Sequence, residues 1–419
     1  MTLALDARAP AVGQGAIWPK VAFVLSAGLV LTFSQFWVMP LSGPNGDPEA
    51  STLIRAVYFP AYAAALVLLV AGWRAAVRVS VRAPLLWALM VMIGLSVLWS
   101  IDPGVTQRRG IAVLFTTLAG VAIAARYDWP KMLEVFATAF AVTVLVSFFL
   151  GIALPSYGRM QTIFPGAWRG AWFEKNALGD FMTEGFMVFA AAGILNPRRR
   201  WVWAGFAAAA LALVLLSTSK TSLITLMIGA SAMGFVGLVR RGPASAVVAT
   251  FLAVVALGAL AFTIVFAADA LFALLGKDAT LTGRTKIWAA VLRQIHTRPW
   301  TGFGYAAVWD DDSGWGPLAW ITKQAGFRAH HAHNSWLEAW LGLGLVGLGV
   351  WVAYFAETWG RTLVAVYRSP AAWFALPFMA AFSLTTLTES VAFIYNDFLW
   401  TFFVAIGLRL AAPVVLARP

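Results

Sequence analysis

The sequence has no cysteine, only four histidines and few charged residues, since 11% of its 419 residues are Asp, Glu, Lys or Arg. Without cysteine, disulfides, thiolate metal sites and cysteine nucleophiles are excluded. A soluble domain carries about 25% charged residues, whereas here 61% of the residues are apolar. A soluble globule cannot bury so much apolar surface, so the composition predicts a polytopic, all-α membrane protein and excludes a disordered chain.

The formal net charge is +12, a sign that by itself fits a nucleic-acid-binding protein. In a membrane protein the same excess is explained by Lys and Arg retained in cytoplasmic loops, so no nucleic-acid partner is predicted. Residues 1–20 lack a short apolar core followed by a small-residue cleavage site, and no cleaved signal peptide is expected.

Twelve apolar stretches approach the length of about 20 residues that a membrane-spanning helix needs. They divide the chain into residues 1–275 with nine helices, a large loop over residues 276–333, and residues 334–419 with three helices. The twelve predicted spans lie near residues 20–41, 54–73, 83–100, 110–126, 131–153, 176–196, 201–218, 221–239, 245–275, 334–357, 370–390 and 393–412.

Basic clusters orient the predicted spans. With an even number of spans, the clusters around Arg78, Arg199, Arg240 and Arg361 all fall on one side of the membrane. The positive-inside rule makes that side cytoplasmic, together with both termini, and places the large loop on the outer face. That loop contains five tryptophans, and a disordered segment would be poor in aromatic residues. We therefore expect a folded loop, helical around residues 285–295.

Cations are unexpectedly common on the predicted outer face, where loops are normally poor in Lys and Arg. Arg169 and Lys175 precede the sixth span, Lys220 lies in the turn between spans seven and eight, and Arg284 lies in the large loop. Arg and Lys together suit the binding of an anionic group such as a phosphate or diphosphate. The alternative is that these side chains are anchors at the membrane interface.

Three of the four histidines lie within four positions, where the large loop meets the tenth span. An imidazole, with an unperturbed pKa of about 6.5, is suited to take a proton from a hydroxyl group. His333 is the predicted base because Asn334 or Ser335 can cap the next helix and fix its backbone; His331 is the second candidate. No metal site is expected, since adjacent His330 and His331 cannot easily chelate one ion and no nearby acidic residue completes a catalytic zinc set.

Acidic residues within the predicted spans are costly in a membrane. Five of them are expected to pair with the outer cations or to line an acceptor groove: Asp180, Glu184, Glu338, Glu389 and Asp397. Residues 310–312, three consecutive aspartates, are expected to form a solvated loop tip rather than a metal site.

These segments together resemble the O-antigen ligase and polysaccharide polymerase superfamily of bacterial envelopes. The wording of residues 173–176 and 219–221 is closest to the exopolysaccharide-production polymerase branch, although Lys220 stands where many members carry Arg. The resemblance rests on the order and spacing of residues 99–103, 169–179, 217–221, 283–288, 299–304 and 331–334 around the large loop.

The resemblance implies an integral-membrane, GT-C-like, inverting glycosyltransferase that uses neither metal nor cofactor. It would lie in the bacterial inner membrane, among membrane lipids, with its site at the periplasmic face. The donor would be a glycan on undecaprenyl diphosphate, and the acceptor lipid A–core or a second lipid-linked glycan. His333 or His331 would be the catalytic base, and the diphosphate would be bound by Arg284, Arg169, Lys175 and Lys220.

Two other functions stay open at this point. The first is a transporter or flippase of lipid-linked sugars, which would need two related halves and a central polar path. Here the halves are not visibly repeated, and the polar residues concentrate at one face. The second is a non-catalytic scaffold of a polysaccharide export complex.

Overall fold

The computed structural model describes residues 17–44, 52–266 and 283–412. In these ranges the protein is helical, and the extended backbone pairs only at an isolated bridge between Arg159 and Trp168. The predicted all-α class is therefore confirmed for them. The α-helices, numbered in chain order, are α1 Trp18–Phe33, α2 Val38–Ser42, α3 Thr52–Ala56, α4 Tyr58–Ala71, α5 Trp73–Ser80, α6 Pro84–Leu95, α7 Pro103–Arg126, α8 Trp129–Ala153, α9 Pro155–Gly158, α10 Lys175–Leu195, α11 Arg200–Ser217, α12 Lys220–Val239, α13 Pro243–Phe266, α14 Arg284–Ile295, α15 Pro317–Ala325, α16 Ser335–Arg368, α17 Ala372–Thr388 and α18 Phe398–Ala411.

The described helices include seven that are long and apolar enough to cross a membrane, or up to eight if the bent pair Trp73–Ser80 and Pro84–Trp99 is one span. Four shorter apolar helices lie at α1, α17, α18 and the first part of α13. Each predicted span coincides with one of these segments, so the polytopic class is confirmed. The total of twelve spans and the side on which the large loop lies stay predictions.

Several helix ends differ from the predicted span ends because local caps and turns decide them. The first predicted span is too long, since α1 ends at Phe33 and Gln35 takes a left-handed φ of +57°. The last span begins later than predicted, because Asp397 caps α18 by accepting hydrogen bonds from the backbone N–H groups of Leu399 and Trp400. Residues 267–275 of the ninth predicted span lie outside the described residues.

The predicted helix in the large loop is confirmed as α14, and α15 is a second helix that the sequence did not reveal.

The helices of the main hydrophobic core pack against one another through aromatic rings. The ring centroids of Phe136 on α8 and Phe402 on α18 lie 4.0 Å apart, and those of Phe140 and Phe181 lie 4.3 Å apart. A Cβ on Gly120 of α7 would come within 2.9 Å of the α18 backbone. Such close contacts are what holds helices together in lipid.

The helix that follows the histidines, α16, is broken at Gly344, whose φ is +69°. The Gly-rich loop after α14 lies in this break: the Phe303 N–H donates to the carbonyl of Leu341 at 2.9 Å, and the Leu345 N–H donates to the carbonyl of Pro299 at 2.8 Å. A helix broken within a membrane needs such partners for its freed backbone groups. The loop is therefore attached to the helix that the histidines precede.

The segment at residues 99–103 contacts the same loop. The Ile101 N–H donates to the carbonyl of Phe303 at 3.0 Å, and the Trp99 indole donates to the carbonyl of Thr301 at 2.7 Å. A Cβ on Gly304 would come within 2.8 Å of the Cα of Ser100. This segment of the sequence thus has a structural use, which is to position the loop against α16.

Candidate active site

A single carboxylate joins the predicted base to a predicted cation. The Nδ1 of His333 lies 2.8 Å from Oε2 of Glu389, and the Nη2 of Arg284 lies 2.5 Å from Oε1 of the same residue. The Nη1 of Arg284 also donates to the carbonyl of Thr388 at 2.5 Å. His333 precedes α16, Arg284 begins α14, and Glu389 follows α17. Three distant segments therefore meet at this point, which we call the His333–Glu389–Arg284 array.

The backbone at His333 is held by the start of α16. The Asn334 side chain accepts hydrogen bonds from the N–H groups of Trp336 and Leu337, both at 3.0 Å, so Asn334 is the predicted cap. His333 itself has a φ of +51°. A left-handed conformation costs a non-glycine residue of this kind about 1–3 kcal/mol and persists only where the surroundings impose it, as functional sites often do.

Ser335 connects the two loops that carry His333 and Glu389. Its hydroxyl donates to the carbonyl of Glu389 at 2.8 Å and accepts from the N–H groups of Val391 and Ala392 at 2.9 and 3.1 Å. Glu338 makes a second connection on the same side: its carboxylate accepts from the Ala332 N–H and from the Ser390 hydroxyl. The histidine and the carboxylate are thus fixed relative to each other before any substrate binds.

The charges of the array favour an ionised carboxylate. Burial would raise the pKa of Glu389, but the hydrogen bond from His333 and the charge of Arg284 outweigh it, so this pKa lies below its ordinary value. An ionised Glu389 favours the tautomer of His333 that carries its proton on Nδ1. That tautomer leaves Nε2 as a proton acceptor, the arrangement that a general base needs.

His331 has a different environment although its ring centroid lies only 3.9 Å from that of His333. Its Nδ1 accepts a weak hydrogen bond from the His333 N–H at 3.3 Å. Burial, followed by repulsion from His333, lowers the pKa of His331 from 6.5 to about 4. His331 is therefore uncharged at neutral pH but has no carboxylate bound to its ring in the way His333 has, so the geometry favours His333 among the two candidates.

The other three predicted cations lie at a second place, between the loop before α10 and the turn from α11 to α12. Arg169 is buried and donates to the carbonyls of Tyr157, Ser156 and Phe173 at 2.7, 3.0 and 3.4 Å. These contacts give its guanidinium a structural use that the sequence did not indicate.

Lys175 and Lys220 both border the turn from α11 to α12. The Nζ of Lys175 donates to the carbonyl of Thr218 at 3.1 Å and lies 4.4 Å from the centre of the Phe164 ring. Lys220 is the first residue of α12 and follows Thr218 by two positions. Lys175 thus contacts the turn through its side chain, and Lys220 follows the turn directly in the sequence. Within the turn, Thr218 has a left-handed φ of +54°.

Asp180 on α10 interacts both with the start of α12 and with the His333–Glu389–Arg284 array. Its Oδ1 accepts a hydrogen bond of 2.6 Å from the hydroxyl of Ser222, in the first turn of α12. It also interacts electrostatically with Arg284 and Glu389. Asp180 is therefore within electrostatic reach of the array and in direct contact with the helix that Lys220 begins.

The expectation that no nearby acidic residue completes a metal-ligand set with the histidines is wrong in the folded chain. Glu389 is 56 positions from His333 in the sequence, yet its carboxylate contacts the imidazole. Ligand atoms of His331, His333 and Glu389 lie within 4.8 Å of one another, and among the described residues they are the one such group.

The three consecutive aspartates do not converge. Asp310 pairs with Arg109 at 2.8 Å, and Asp312 pairs with Arg328 at 2.7 Å. The Asp312 side chain is 78% exposed, as a loop tip requires, whereas Asp310 is tied to α7 and is not simply solvated.

Glu389 is the site residue that the sequence reasoning did not select. A signal was present, because an acidic residue in a membrane is expected to pair with a cation, and that pairing is confirmed for Glu389. That Arg284 is the partner appears only in the folded chain. Arg284 is 104 positions from Thr388 and 105 from Glu389 in the sequence, and it donates a hydrogen bond to each.

Comparison with known proteins shows which family this chain resembles. Residues 204–352 match the O-antigen ligase family, and this segment includes Lys220, Arg284, His331 and His333. The exopolysaccharide production protein ExoQ of Rhizobium meliloti is 27% identical over 270 residues, which cover 63% of this chain and 61% of that protein. The O-antigen ligase of Pseudomonas aeruginosa is 32% identical over 111 residues, 26% of this chain and 25% of that protein. Both matches span less than two thirds of the relative, and they confirm the resemblance that the motifs indicated.

Proposed function

We propose that this chain, which carries a segment of the O-antigen ligase family, is a metal-independent inverting glycosyltransferase of the bacterial inner membrane. It transfers a glycan from undecaprenyl diphosphate to an acceptor sugar at the periplasmic face, as an O-antigen ligase or as a polymerase of exopolysaccharide or O-antigen. The observation that carries this proposal is the His333–Glu389–Arg284 array, which supplies a base, its orienting carboxylate and a cation at one point.

The proposed reaction needs only a base and a cationic surface, because the lipid diphosphate is already a good leaving group. Nε2 of His333 takes the proton of the acceptor hydroxyl while that oxygen attacks the anomeric carbon. The bond from this carbon to the phosphate oxygen breaks, the lipid diphosphate leaves, and the anomeric configuration inverts. Glu389 stabilises the imidazolium that forms, as carboxylates do in other His-based sites.

The diphosphate is assigned to the cations. A guanidinium has five N–H donors, so the contacts of Arg284 with Thr388 and Glu389 do not exhaust it. Since Glu389 offsets part of this charge, we assign the remaining attraction to Lys220 and Lys175 at the neighbouring turn. The donors of Arg169 are directed to backbone carbonyls, so we assign to it only the attraction of its positive charge.

Reconstitution tests the proposal and separates its two forms. The purified chain in liposomes would receive an undecaprenyl-diphosphate glycan together with either lipid A–core or a second lipid-linked glycan. A product on lipid A–core identifies a ligase, and a lengthened lipid-linked glycan identifies a polymerase. If neither acceptor is extended while the donor crosses the bilayer, the transporter is favoured; if neither occurs, the scaffold is.

Arg284 is expected to contribute to donor binding. Charge-assisted hydrogen bonds are worth about 1.5–3 kcal/mol each, so Arg284→Ala should raise the KM for the donor roughly tenfold or more. Arg284→Lys should rescue only in part, because a lysine lacks the two-pronged geometry. Arg293→Ala, in the exposed last turn of the same helix, is the matched control and should leave the KM unchanged. Equal activity of the Lys variant and the wild type would contradict the bidentate role.

No metal is expected to be required for turnover. The donor's charge is balanced by Arg and Lys, and the leaving group is already activated, so a divalent ion adds nothing that the reaction lacks. Activity should therefore be complete in excess chelator. A loss of activity on chelation that a divalent ion restores would show that the reaction depends on a metal.

The topology is expected to place both termini and the turns at Arg78, Arg199 and Arg240 in the cytoplasm and Asp311 in the periplasm. Because the chain has no cysteine, single-cysteine labelling has no background. Asp312→Cys is the best reporter of the loop, since its side chain is the exposed neighbour of Asp311. It should react with a membrane-impermeant maleimide from the periplasmic side, and Arg78→Cys only after the membrane is opened. The reverse pattern would invert the topology.

A further inference from the structure

We propose that His331, His333 and Glu389 form a binding site for a divalent transition metal ion of the Zn²⁺ type, and that an ion bound there blocks the site. The second half of this inference rests on the proposed function, whereas the first half does not. The site would be inhibitory, so it is compatible with a reaction that needs no metal.

The geometry of the three side chains supports the site. Their ligand atoms lie within 4.8 Å of one another, and none of the three side chains is fully buried. Ligand atoms bound at about 2.1 Å around a tetrahedral zinc lie about 3.4 Å apart. Side-chain rotations that move the ligand atoms by about an ångström would therefore bring them to zinc-binding distances. Two imidazoles and one carboxylate, with a fourth position open to solvent, are a recurrent zinc ligand set.

The backbone already brings the two imidazoles to one side. His331 and His333 are separated by one residue, His333 has a left-handed φ of +51°, and the ring centroids of the two lie 3.9 Å apart. Glu389 is held opposite them by the Ser335 hydroxyl, which binds its carbonyl at 2.8 Å. A site whose ligands are pre-positioned loses little conformational entropy when the ion binds.

The neighbouring charges permit a cation here. Arg284 opposes it, but this side chain contacts Oε1 of Glu389, whereas His333 contacts Oε2. A metal can therefore take Oε2 without displacing Arg284. The carboxylates of Asp180 and Glu338 offset the positive charge, since Asp180 interacts electrostatically with Glu389 and Glu338 with His333.

Occupancy would remove the proposed base. Nδ1 of His333 is the ring nitrogen that faces Glu389, so it is the one that a shared ion would bind. A neutral imidazole bound to metal through Nδ1 carries its proton on Nε2, and Nε2 then has no lone pair with which to accept the acceptor's proton. The metal exchanges one tautomer for the other without net proton release from this ring.

Direct binding of Zn²⁺ tests the site without any substrate. The full chain, purified in detergent with a tag that contains no histidine, is titrated with Zn²⁺ against a chromophoric chelator. We expect one site. His331→Ala and Glu389→Gln should each weaken it on the order of tenfold or more, because even residues that only support a metal ligand contribute about that much.

The remaining histidines provide matched controls. His330 and His296 are exposed and lie outside the group, so His330→Ala and His296→Ala should bind Zn²⁺ as the wild type does. Each variant is first shown to keep the wild-type melting temperature and elution volume. If His331→Ala is unstable, His331→Asn replaces it. Binding that is absent in the wild type, or lost equally in His330→Ala, would overturn the site.

Turnover then tests the consequence. In the reconstituted system, inhibition by Zn²⁺ should follow the measured occupancy and be reversed by chelator. Full activity of the zinc-saturated protein would overturn the inhibitory role. A chain that transfers no glycan at all would refute the proposed function, and the binding titration would still decide whether the metal site exists.

Discussion

His333→Ala is expected to lower turnover by about 10²–10⁴-fold, the usual contribution of a general base. Donor affinity should change little, because the cations that hold the diphosphate are retained. Turnover of the wild type should fall on acidification, since a protonated imidazole accepts no second proton. The measurement is kcat and the KM for the donor in the reconstituted system, with His330→Ala as the control that keeps both values.

His331→Ala separates the two histidine candidates. With Nδ1 of His331 directed to the His333 N–H rather than to a carboxylate, this variant should lose less turnover than His333→Ala. Near-normal turnover in His333→Ala together with an inactive His331→Ala would move the base by two residues. If both variants stay active, the imidazole mechanism fails and the cationic surface alone would have to catalyse the transfer.

Glu389→Gln is expected to lower kcat by about 10–100-fold or more, since 10–100-fold is the loss seen when a carboxylate that orients a metal-binding histidine is removed. Glutamine keeps the size of the side chain but cannot stabilise the imidazolium of His333 at 2.8 Å, and it also loses the ion pair with Arg284. We assign Glu389 as a positioning residue, so the readout that matters is the pH dependence of kcat. It should shift in Glu389→Gln, and Glu389→Asp should restore part of the rate.

The chain offers a matched control for this change. Glu357 on α16 forms a similar ion pair with Arg361, at 2.7 Å, and is not part of the array. Glu357→Gln should therefore leave kcat and its pH dependence unchanged. A Glu389→Gln protein with normal kcat, or with an unchanged pH profile and only a lower melting temperature, would reduce Glu389 to a structural role.

Arg284 and Glu389 belong to one network, so their substitutions should not be additive. Arg284→Ala leaves the carboxylate without one partner, and Glu389→Gln leaves the guanidinium without its anion. Coupled residues of this kind show interaction energies of about 0.5–3 kcal/mol in double-mutant cycles. If the losses of the two single variants simply add in the double variant, the ion pair has no part in the reaction.

The sequence by itself determined the class of protein and much of its local structure. Long apolar runs require membrane-spanning helices because backbone groups in lipid must be satisfied within the segment, and each predicted span falls on an apolar helix. Capping is local as well: Asn334 binds N–H groups two and three positions ahead, so the start of α16 was predictable. The resemblance to the O-antigen ligase family was also recognisable, because the motifs that carry it are short and ordered along the chain.

Only the tertiary structure decided which of these residues act together. Glu389 reaches Arg284 and His333 from a different loop, Arg169 directs its donors into backbone carbonyls, and the loop at Phe303 lies in the break of α16. The physical reason is that a charged group in a membrane must find a partner of opposite charge. The sequence contains several acids and cations that could pair, and it does not show which pairs form. Packing of distant helices selects one pairing, and that pairing places a carboxylate beside His333.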